Sequence, residues 1–232
     1  MGLVHHPNVV TDGLIGCWDA GNRRSYPGAG TTWTDIAGVN NSTLQNGGDG
    51  GLSFDSANGG SIVFDGTNAY TTATNFDDGS PVSGTPSFAF DMWIYLDDTN
   101  AITFITQRVD SNNRWSWWWN ASSDMYFNVW TSGSDVSSGA YNHSFTADNW
   151  YHLALVRDGN TILFYIDSVL KYSASYTHSI TAKAAGLDFG YDQQNYGGSS
   201  NNAKYALVRA YNKALSAAEV LQNYNATKGR FT

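Results

Sequence analysis

Strict alternation of apolar and polar side chains is the feature that most constrains the fold of this chain. In residues 87–97, "SFAFDMWIYLD", one alternate set is wholly apolar: Phe88, Phe90, Met92, Ile94 and Leu96. The intervening set is mixed: Ser87, Ala89, Asp91, Trp93, Tyr95 and Asp97. A period of two predicts an extended strand with the apolar set in a core and the mixed set facing solvent. That solvent face would carry Trp93 and Tyr95.

Similar segments recur along the 232 residues, separated by clusters of Gly, Asn, Asp and Ser that favour turns. Residues 150–170 predict a hairpin with a type I′ turn signal at Asp158-Gly159. Its strands should each present an apolar face, formed by Leu153 and Leu155 on one strand and by Ile162, Phe164 and Ile166 on the other. No linker and no internal repeat interrupts this pattern.

One helix is predicted near the C-terminus. Ser216 and Glu219 have the spacing of a capping box, Val220, Leu221 and Tyr224 supply an apolar stripe, and Gly229 ends the helix. Many short antiparallel strands with one short helix indicate an all-β chain, a two-sheet jelly-roll sandwich. We expect a single domain over residues 13–232, preceded by an N-terminal arm, residues 1–12.

Charge and composition exclude several classes of partner. The formal net charge is −8, and the 12 basic residues are scattered, so nucleic-acid binding is not expected. No window approaches 18 apolar residues, and the N-terminus does not resemble a secretion signal, so neither a membrane span nor export by that route is expected. The single Cys17 lies in a predicted buried strand, where a thiol behaves as a small apolar group.

Residues 114–130, "RWSWWWNASSDMYFNVW", hold five of the nine tryptophans and predict two strands around a turn at residues 120–124. Trp115, Trp117 and Trp119 share one face with the apolar set of the second strand, Met125, Phe127 and Val129. Burial of large apolar side chains gains roughly 1.5–3 kcal/mol each, so this face is predicted to be core. The opposite face is predicted to be accessible and holds Arg114, Ser116, Trp118, Asn120, Tyr126, Asn128 and Trp130.

The accessible face suits carbohydrate, because aromatic rings stack on sugar rings and amide or charged groups bond the hydroxyls. The candidate binding residues are Trp118, Tyr126, Asn128 and Trp130 on this hairpin, with Trp93 and Tyr95 from residues 87–97. Asp91 and Tyr165 could extend the same face. The alternative is that loops or a neighbouring subunit cover it and its role is structural.

Catalytic and metal-binding residues are not evident. A retaining glycosidase needs two carboxyl groups about 5 Å apart, yet the only glutamate is Glu219, assigned to the helix cap, and most aspartates lie in turns. The adjacent His5 and His6 point apart in an extended chain, and His152 is expected to pack within the hairpin. We therefore predict no catalytic residue, no metal site and no cofactor.

Several segments in order, covering about residues 12–231, resemble laminin-G-like jelly-roll domains of the concanavalin A-like lectin/glucanase superfamily. They are "GLIGCWDAGNRRSYPGAGTTWTDIAGVNNSTL", "SIVFDGTNAYTT", "WYHLALVRDGNTILFYIDS" and "AKYALVRAYNKALSAAEVLQNYNATKGRF". The family often binds a structural calcium ion. Asp65 of "FDG" matches that pattern, but the closing "YALVRAYN" lacks the acidic residue often found there, so calcium is left open.

The opening and closing segments further resemble the variant found in bacteriophage virion proteins. This resemblance implies a virion structural protein, a capsid decoration, head fibre or tail-associated protein, made in the host cytoplasm. Its partners would be other virion proteins, itself as a homo-oligomer, and a surface glycan. The docking element would be the arm, through Leu3, Val4, Pro7, Val9 and Val10. The alternatives are a carbohydrate-binding module of a surface or secreted protein, and a glycoside hydrolase.

Overall fold

The computed structural model describes residues 8–45, 51–66, 69–73, 87–110, 112–180, 186–190 and 202–232. The strands of these ranges are, in chain order, β1 Leu14–Asp19, β2 Thr32–Trp33, β3 Ser42–Gln45, β4 Leu52–Asp55, β5 Ser61–Asp65, β6 Tyr70–Ala73, β7 Phe88–Leu96, β8 Ile102–Asp110, β9 Asn113–Trp119, β10 Asp124–Thr131, β11 Ser134–Ser137, β12 Tyr141–Asn142, β13 Asn149–Asp158, β14 Thr161–Ile166, β15 Val169–Ser175, β16 Leu187–Phe189 and β17 Asn202–Tyr211. The helix α1 spans Ala217–Thr227, and single 3-10 turns span Ala57–Gly59 and Lys228–Arg230.

The strands form two antiparallel sheets that pack face to face. Sheet A has the order β15-β14-β13-β7-β17-β5-β4, with β1 also paired to β17. Sheet B has the order β11-β10-β9-β8-β16-β6-β3-β2, with β12 also paired to β10. Hydroxyl groups of β15 and the following residues reach backbone carbonyls at β11, so these two sheet edges lie together. This arrangement confirms the predicted all-β sandwich with one short C-terminal helix.

The inner faces of the two sheets meet in one core, as the alternation predicts. Phe90 of β7 packs against Trp115 of β9, with ring centroids 5.6 Å apart, and Trp117 stacks on Phe164 of β14 at 6.3 Å. All five apolar residues predicted to face inward from β7 are buried, and so are Trp115, Trp117, Trp119, Met125, Phe127 and Val129. The dense tryptophan stretch is therefore mostly scaffold.

The two predicted hairpins are present. β9 and β10 pair around residues 120–123, with Trp119 opposite Met125. In the β13–β14 hairpin, Asp158 pairs with Thr161, so the two-residue loop is Gly159-Asn160, one residue later than the predicted turn. Gly159 has a φ of 54°, whereas Asn160 has no positive φ, so the type I′ turn, which requires two, does not form.

Helix α1 begins as its sequence predicts. The Ser216 hydroxyl accepts from the Glu219 backbone N–H, and the Glu219 carboxylate accepts from the Ser216 backbone N–H, which completes the capping box. Val220 is buried, but Leu221 is exposed, so the predicted apolar stripe was wrong at that position. The helix ends at Thr227, and a 3-10 turn carries the chain through Gly229. The described helices include none with the length and apolar character that a bilayer crossing requires.

The outer face of sheet A is covered, which corrects the prediction that it faces solvent. Ala89, Asp91 and Trp93 of β7 are almost fully buried. Residues from α1, the C-terminal turn and the N-terminal segment form two further apolar clusters on this face. Alternation identified the side chains that share the face, but segments far away in sequence, near the two ends of the chain, cover it.

Val10 is one of those covering residues. Its side chain is buried with Ala89 and Val220, its backbone N–H donates to Asn223 Oδ1 at 2.8 Å, and its carbonyl accepts from the Tyr211 hydroxyl. The prediction that Val10 docks on a neighbouring protein was therefore wrong, since this residue packs on its own domain. Val9 is partly exposed, and Leu3, Val4 and Pro7 lie outside the described residues.

Candidate functional site

The predicted binding residues lie on two different sheets. Trp118, Tyr126, Asn128 and Trp130 belong to β9 and β10 of sheet B, whereas Asp91, Trp93 and Tyr95 belong to β7 and Tyr165 to β14 of sheet A. The outer faces of the two sheets point in opposite directions, away from the shared core. The expectation that all these residues form one binding face is therefore wrong.

A pair of rings stands on the outer face of sheet B. Trp118 and Tyr126 are directly opposite each other in the β9–β10 register, and their rings stack with centroids 5.0 Å apart and an interplanar angle of 21°. Both side chains are partly exposed. We call this pair the ring platform. Stacking fixes the orientation of both rings before any ligand arrives, which reduces the entropy lost on binding.

The ring of Trp130, on the same outer face, is in contact with a cation. Arg114 and Trp130 are paired across β9 and β10, and the guanidinium carbon lies 3.8 Å from the Trp130 ring centroid. Arg114 is only 5% exposed, whereas Trp130 is partly exposed. The cation–π contact covers one face of the Trp130 ring, so Trp130 can offer a ligand only its remaining surface.

The side-chain amide of Asn128 positions the ring platform and does not face a ligand. The Trp118 indole N–H donates to Asn128 Oδ1 at 3.3 Å, and Asn128 Nδ2 donates to Asp135 Oδ1 at 3.0 Å. Asn128 is 4% exposed, so its amide is used internally. Asp135 is exposed and its carboxylate retains acceptor capacity for a hydroxyl donor. The prediction of Asn128 as a direct contact is corrected to a positioning role.

A second carboxylate borders the other end of the platform. The Tyr126 hydroxyl donates to Asp124 Oδ2 at 3.3 Å, and Asn142 Nδ2 donates to Asp124 Oδ1 at 3.1 Å. Partial burial and the nearby Asp124 carboxylate raise the pKa of Tyr126, so its hydroxyl stays protonated and remains a donor. Two flat rings flanked by Asp124 and Asp135 can stack on a sugar ring while accepting hydrogen bonds from its hydroxyls.

Asp124, Asp135 and Asn142 were not among the predicted binding residues. Asp124 ends a turn and Asp135 follows Gly133 in another, so each has the sequence context of an ordinary turn former. Asp124 lies on β10 itself, two residues before Tyr126, whereas the pairing of β10 with β11 and β12 brings Asp135 and Asn142 to this face. The available signal for Asp124 was its alternation with Tyr126, and for Asp135 and Asn142 it was their short distance in sequence from the aromatic hairpin.

The sheet A candidates do not form a binding surface. The Trp93 ring stacks on Phe231 at 4.4 Å, and its indole N–H donates to Thr227 Oγ1 at 2.8 Å. Tyr165 is buried in an apolar cluster beneath the N-terminal segment. Trp93 and Tyr165 therefore act as anchors for the covering segments, and their prediction as ligand-facing residues was wrong.

Asp91 is a buried structural charge. It accepts from Arg209 Nε at 2.6 Å and from Asn223 Nδ2 at 2.5 Å, and all three residues are at most 1% exposed. Tyr95 differs, since it is partly exposed near the rim of sheet A, with Lys204 Nζ 4.9 Å from its ring centroid.

Metal-ligating side chains do not form a cluster in the ranges that the structure describes. No group of three His, Cys, Asp or Glu side chains there could hold a metal ion. Glu219 is committed to the helix cap and to Lys213, whose Nζ lies 2.7 Å from Glu219 Oε1. His5 and His6 lie outside the described residues.

Desolvation removes His152, which is fully buried, and Cys17, which is partly buried, from reactive chemistry. His152 is buried, but its ring packs against Trp93 of β7 and Tyr224 of α1 rather than within the predicted hairpin, and desolvation lowers its pKa to about 4. Desolvation raises the pKa of the Cys17 thiol to about 12, so the thiolate nucleophile does not form near neutral pH. Neither group is suited to acid–base or nucleophilic catalysis at pH 7.

The comparison with family models matches residues 65–221 to a laminin-G model described as the concanavalin A-like lectin/glucanases superfamily. A comparison with curated protein sequences gives no match. Among solved structures, the chain is similar to domain 4 of AbnA, an extracellular arabinanase from Geobacillus stearothermophilus in complex with arabinotriose. The two are 17% identical with a TM-score of 0.70, and the alignment covers 91% of this chain and 98% of that one.

Two other similar structures are longer proteins. A mutant Trypanosoma rangeli sialidase with trans-sialidase activity has a TM-score of 0.68 at 11% identity, and the match covers 97% of this chain but 34% of the sialidase. A structure of botulinum neurotoxin type C, whose cell entry depends on two ganglioside molecules, has a TM-score of 0.68 at 14% identity, covering 94% of this chain and 52% of the other. At such identities the likeness establishes the shared fold.

Proposed function

The chain belongs to the concanavalin A-like lectin/glucanase superfamily, and from that premise we propose that it is a carbohydrate-binding domain without catalytic activity. The ligand is a neutral oligosaccharide, and the binding surface is the ring platform of sheet B with its two flanking carboxylates. The observation that carries the proposal is the stacked, partly exposed pair Trp118 and Tyr126, held between Asp124 and Asp135.

The electrostatics of the platform favour a neutral sugar. Asp124 and Asp135 accept hydrogen bonds from hydroxyl groups but repel carboxylate and sulfate groups. A sugar stacks on an aromatic ring through its apolar C–H groups, which neutral pyranoses and furanoses both present. The arabinanase domain that the chain matches over 98% of its length is in complex with arabinotriose, a neutral oligosaccharide, which supports the choice.

The proposed lack of catalytic activity is supported by the carboxylates that the sequence supplies. The chain has one glutamate, and it is bonded to Ser216 and Lys213 at the start of α1. Asp124 and Asp135 both bond to neighbouring side chains of the platform. This arrangement suits binding more than glycosidic bond cleavage, which needs a raised-pKa acid opposite a nucleophile.

A glycan array followed by calorimetry tests the proposal. The wild-type domain should bind a subset of neutral oligosaccharides, and Trp118→Ala should reduce the affinity about five- to tenfold, since one lost stacking contact is worth about 1–1.5 kcal/mol. Tyr95→Ala is the matched control, because it removes a partly exposed ring from sheet A and should leave binding unchanged. Equal binding by wild type and Trp118→Ala would remove the platform as the site.

A virion structural role remains our second proposal. It is favoured by the resemblance of the opening and closing segments to those of bacteriophage virion proteins, and it is compatible with glycan binding. Since Val10 packs on its own domain, docking would depend on Leu3, Val4, Pro7 and the partly exposed Val9. Deletion of residues 1–7 should then leave a folded domain that no longer assembles into particles of its phage. Normal incorporation of the truncated chain would contradict docking through this arm.

A further inference from the structure

A cleft of about 240 Å³ lies at the opposite edge of the sandwich from the β10–β11 hairpin. It is formed by residues 20–28, which follow β1, by β4 at the outer edge of sheet A, and by the 3-10 turn Ala57–Gly59. The residues that line it include Arg23, Tyr26, Pro27, Gly28, Phe54 and Ser56. Its volume is below the roughly 300–1,000 Å³ typical of sites for drug-sized ligands, so it fits one sugar-sized unit.

The floor of the cleft is aromatic and fixed in place. The rings of Tyr26 and Phe54 lie 5.5 Å apart with an interplanar angle of 48°. The Tyr26 hydroxyl donates to the Gly30 carbonyl at 2.9 Å, and the residue is 5% exposed, so its ring cannot swing out. Gly60 has a φ of 125°, and any Cβ there would approach the Phe54 ring to 3.0 Å. The close packing of backbone against Phe54 therefore depends on glycine.

Arg230 holds the walls of the cleft together. Its Nη1 donates to Asp19 Oδ1 at 2.9 Å and its Nε donates to the Asn58 carbonyl at 3.2 Å. Asn58 Nδ2 donates in return to the Arg230 carbonyl at 2.8 Å. The C-terminal turn thus fastens the segment after β1 to the turn after β4, which leaves the cleft formed before any ligand binds.

Arg23 is a second arginine at the cleft, and the environment of its side chain differs from that of Arg230. It lines the cleft, its side chain is exposed, and it has no hydrogen-bond or ion-pair partner in the part of the chain that the structure describes. An unpaired guanidinium presents several donors in a planar fork that matches a carboxylate. In a chain with a net charge of −8, an uncompensated cation beside an aromatic floor points to an anionic ligand with an apolar face.

We propose that this cleft is a second binding site, which takes an acidic sugar unit, a pyranose that bears a carboxylate. The sugar ring lies on Phe54, its carboxylate pairs with Arg23, and its hydroxyls reach Ser56 and the backbone of the glycine-rich walls. This site is separate from the ring platform, whose carboxylates repel such a ligand. The domain would then recognise neutral and acidic sugars at opposite edges.

Titration with D-glucuronate, followed in proton–nitrogen NMR spectra, tests the site. Backbone signals of Gly28 and Gly59 should shift and saturate with a dissociation constant on the order of 1 mM, as befits a single small unit. D-glucose should bind at least about tenfold more weakly, because it lacks the carboxylate that pairs with arginine. Trp118→Ala should not change the titration, so failure of the platform and failure of the cleft are distinguishable.

Two neighbouring arginines provide matched variants. Arg23→Gln should weaken glucuronate binding at least about tenfold, whereas Arg24→Gln, which removes an equal charge outside the cleft lining, should weaken it less than about twofold. Both side chains are exposed, so neither change should affect folding. Absence of shifts at Gly28 and Gly59, shifts confined to other residues, or equal effects of the two variants would overturn the proposal.

Discussion

The outer faces of sheet A and sheet B begin from the same pattern and end in different environments. Both are built from mixed polar and aromatic positions that alternate with core residues, on β7 and on the β9–β10 hairpin. On sheet A, Trp93 is 1% exposed and packs under the C-terminal turn. On sheet B, Trp118 is partly exposed and stacks on Tyr126.

The difference shows that alternation assigns side chains to a face but does not say whether solvent reaches that face. On sheet A, α1, Val10 and Phe231 form a third layer. Beneath it, the polar residues of the sheet form a buried hydrogen-bond network around Asp91 and Arg209. The platform of sheet B keeps its rings and carboxylates at the surface. We therefore expect substitutions on the two faces to differ in their effects on stability and binding.

The largest loss of stability is expected when the buried carboxylate of Asp91 on sheet A is removed. Asp91→Ala leaves Arg209 buried without its partner and is expected to lower the free energy of unfolding by about 3–5 kcal/mol. Asp135→Ala on sheet B is the matched control and should cost less than about 1 kcal/mol, because that carboxylate is exposed. Urea denaturation measures both changes. Equal losses would mean that the two faces are equally covered.

Acid should destabilise the covered face through His152. Burial lowers the pKa of His152 to about 4, against an ordinary value of 6.5, so the unfolded chain takes up the proton first as the pH falls. Stability from this residue is complete above pH 6.5 and is lost progressively down to about pH 4, at about 1.4 kcal/mol per pH unit.

The matching variant is His152→Gln, which cannot titrate in this range. Urea midpoints of wild type and variant at pH 7, 5.5 and 4.5 isolate the contribution of this one residue from that of the carboxylates. The wild type should lose stability more steeply. Parallel curves for the two proteins would show that His152 is not buried as a neutral imidazole.

Truncation within the N-terminal segment should have an intermediate effect. Val10→Ala removes two buried methyl groups from the layer over sheet A and should cost about 2 kcal/mol. Val9→Ala, at a partly exposed neighbour, should cost less than about 1 kcal/mol. Thermal unfolding monitored by circular dichroism compares them. A larger loss of stability for Val9→Ala than for Val10→Ala would contradict the assignment of the buried contact to Val10.

The smallest effect on stability is expected at the ring platform. Trp118→Ala removes a partly exposed stacking contact, which is worth about 0.5–1.5 kcal/mol, although the same change should abolish most glycan binding. Trp117→Ala, one residue earlier but fully buried, should cost about 3–5 kcal/mol. Similar urea midpoints for these two variants would contradict the assignment of adjacent tryptophans to core and surface.

Local patterns were sufficient to predict the strands and the helix cap. Period-two alternation placed Phe90 and Trp117 in the core, and the Ser216–Glu219 spacing identified the start of α1. The prediction failed at Leu221, because the helix packs on sheet A through a narrower face than its apolar stripe suggests. These are properties of a few neighbouring residues, and short-range geometry decides them.

The site was predicted only in part. Trp118 and Tyr126 were identified because they oppose each other within one hairpin, whose turn is visible in the sequence. Trp93 and Tyr165 were misassigned, because nothing near them in sequence indicates that Phe231 or Val10 will cover them. The edge cleft joins residues on either side of β2 and β3 to Arg230, and no local signal links these segments.

The order of residues determines the alternation in each strand, the positions of the turns and the cap of the helix. These features depend on steric and hydrogen-bonding preferences over a few residues. Which outer face remains open depends on the tertiary fold, because burial is set by contacts between segments far apart in the chain. Asp91 illustrates this dependence, since the same carboxylate that would be a surface charge on an open face becomes a buried partner of Arg209 once α1 covers it.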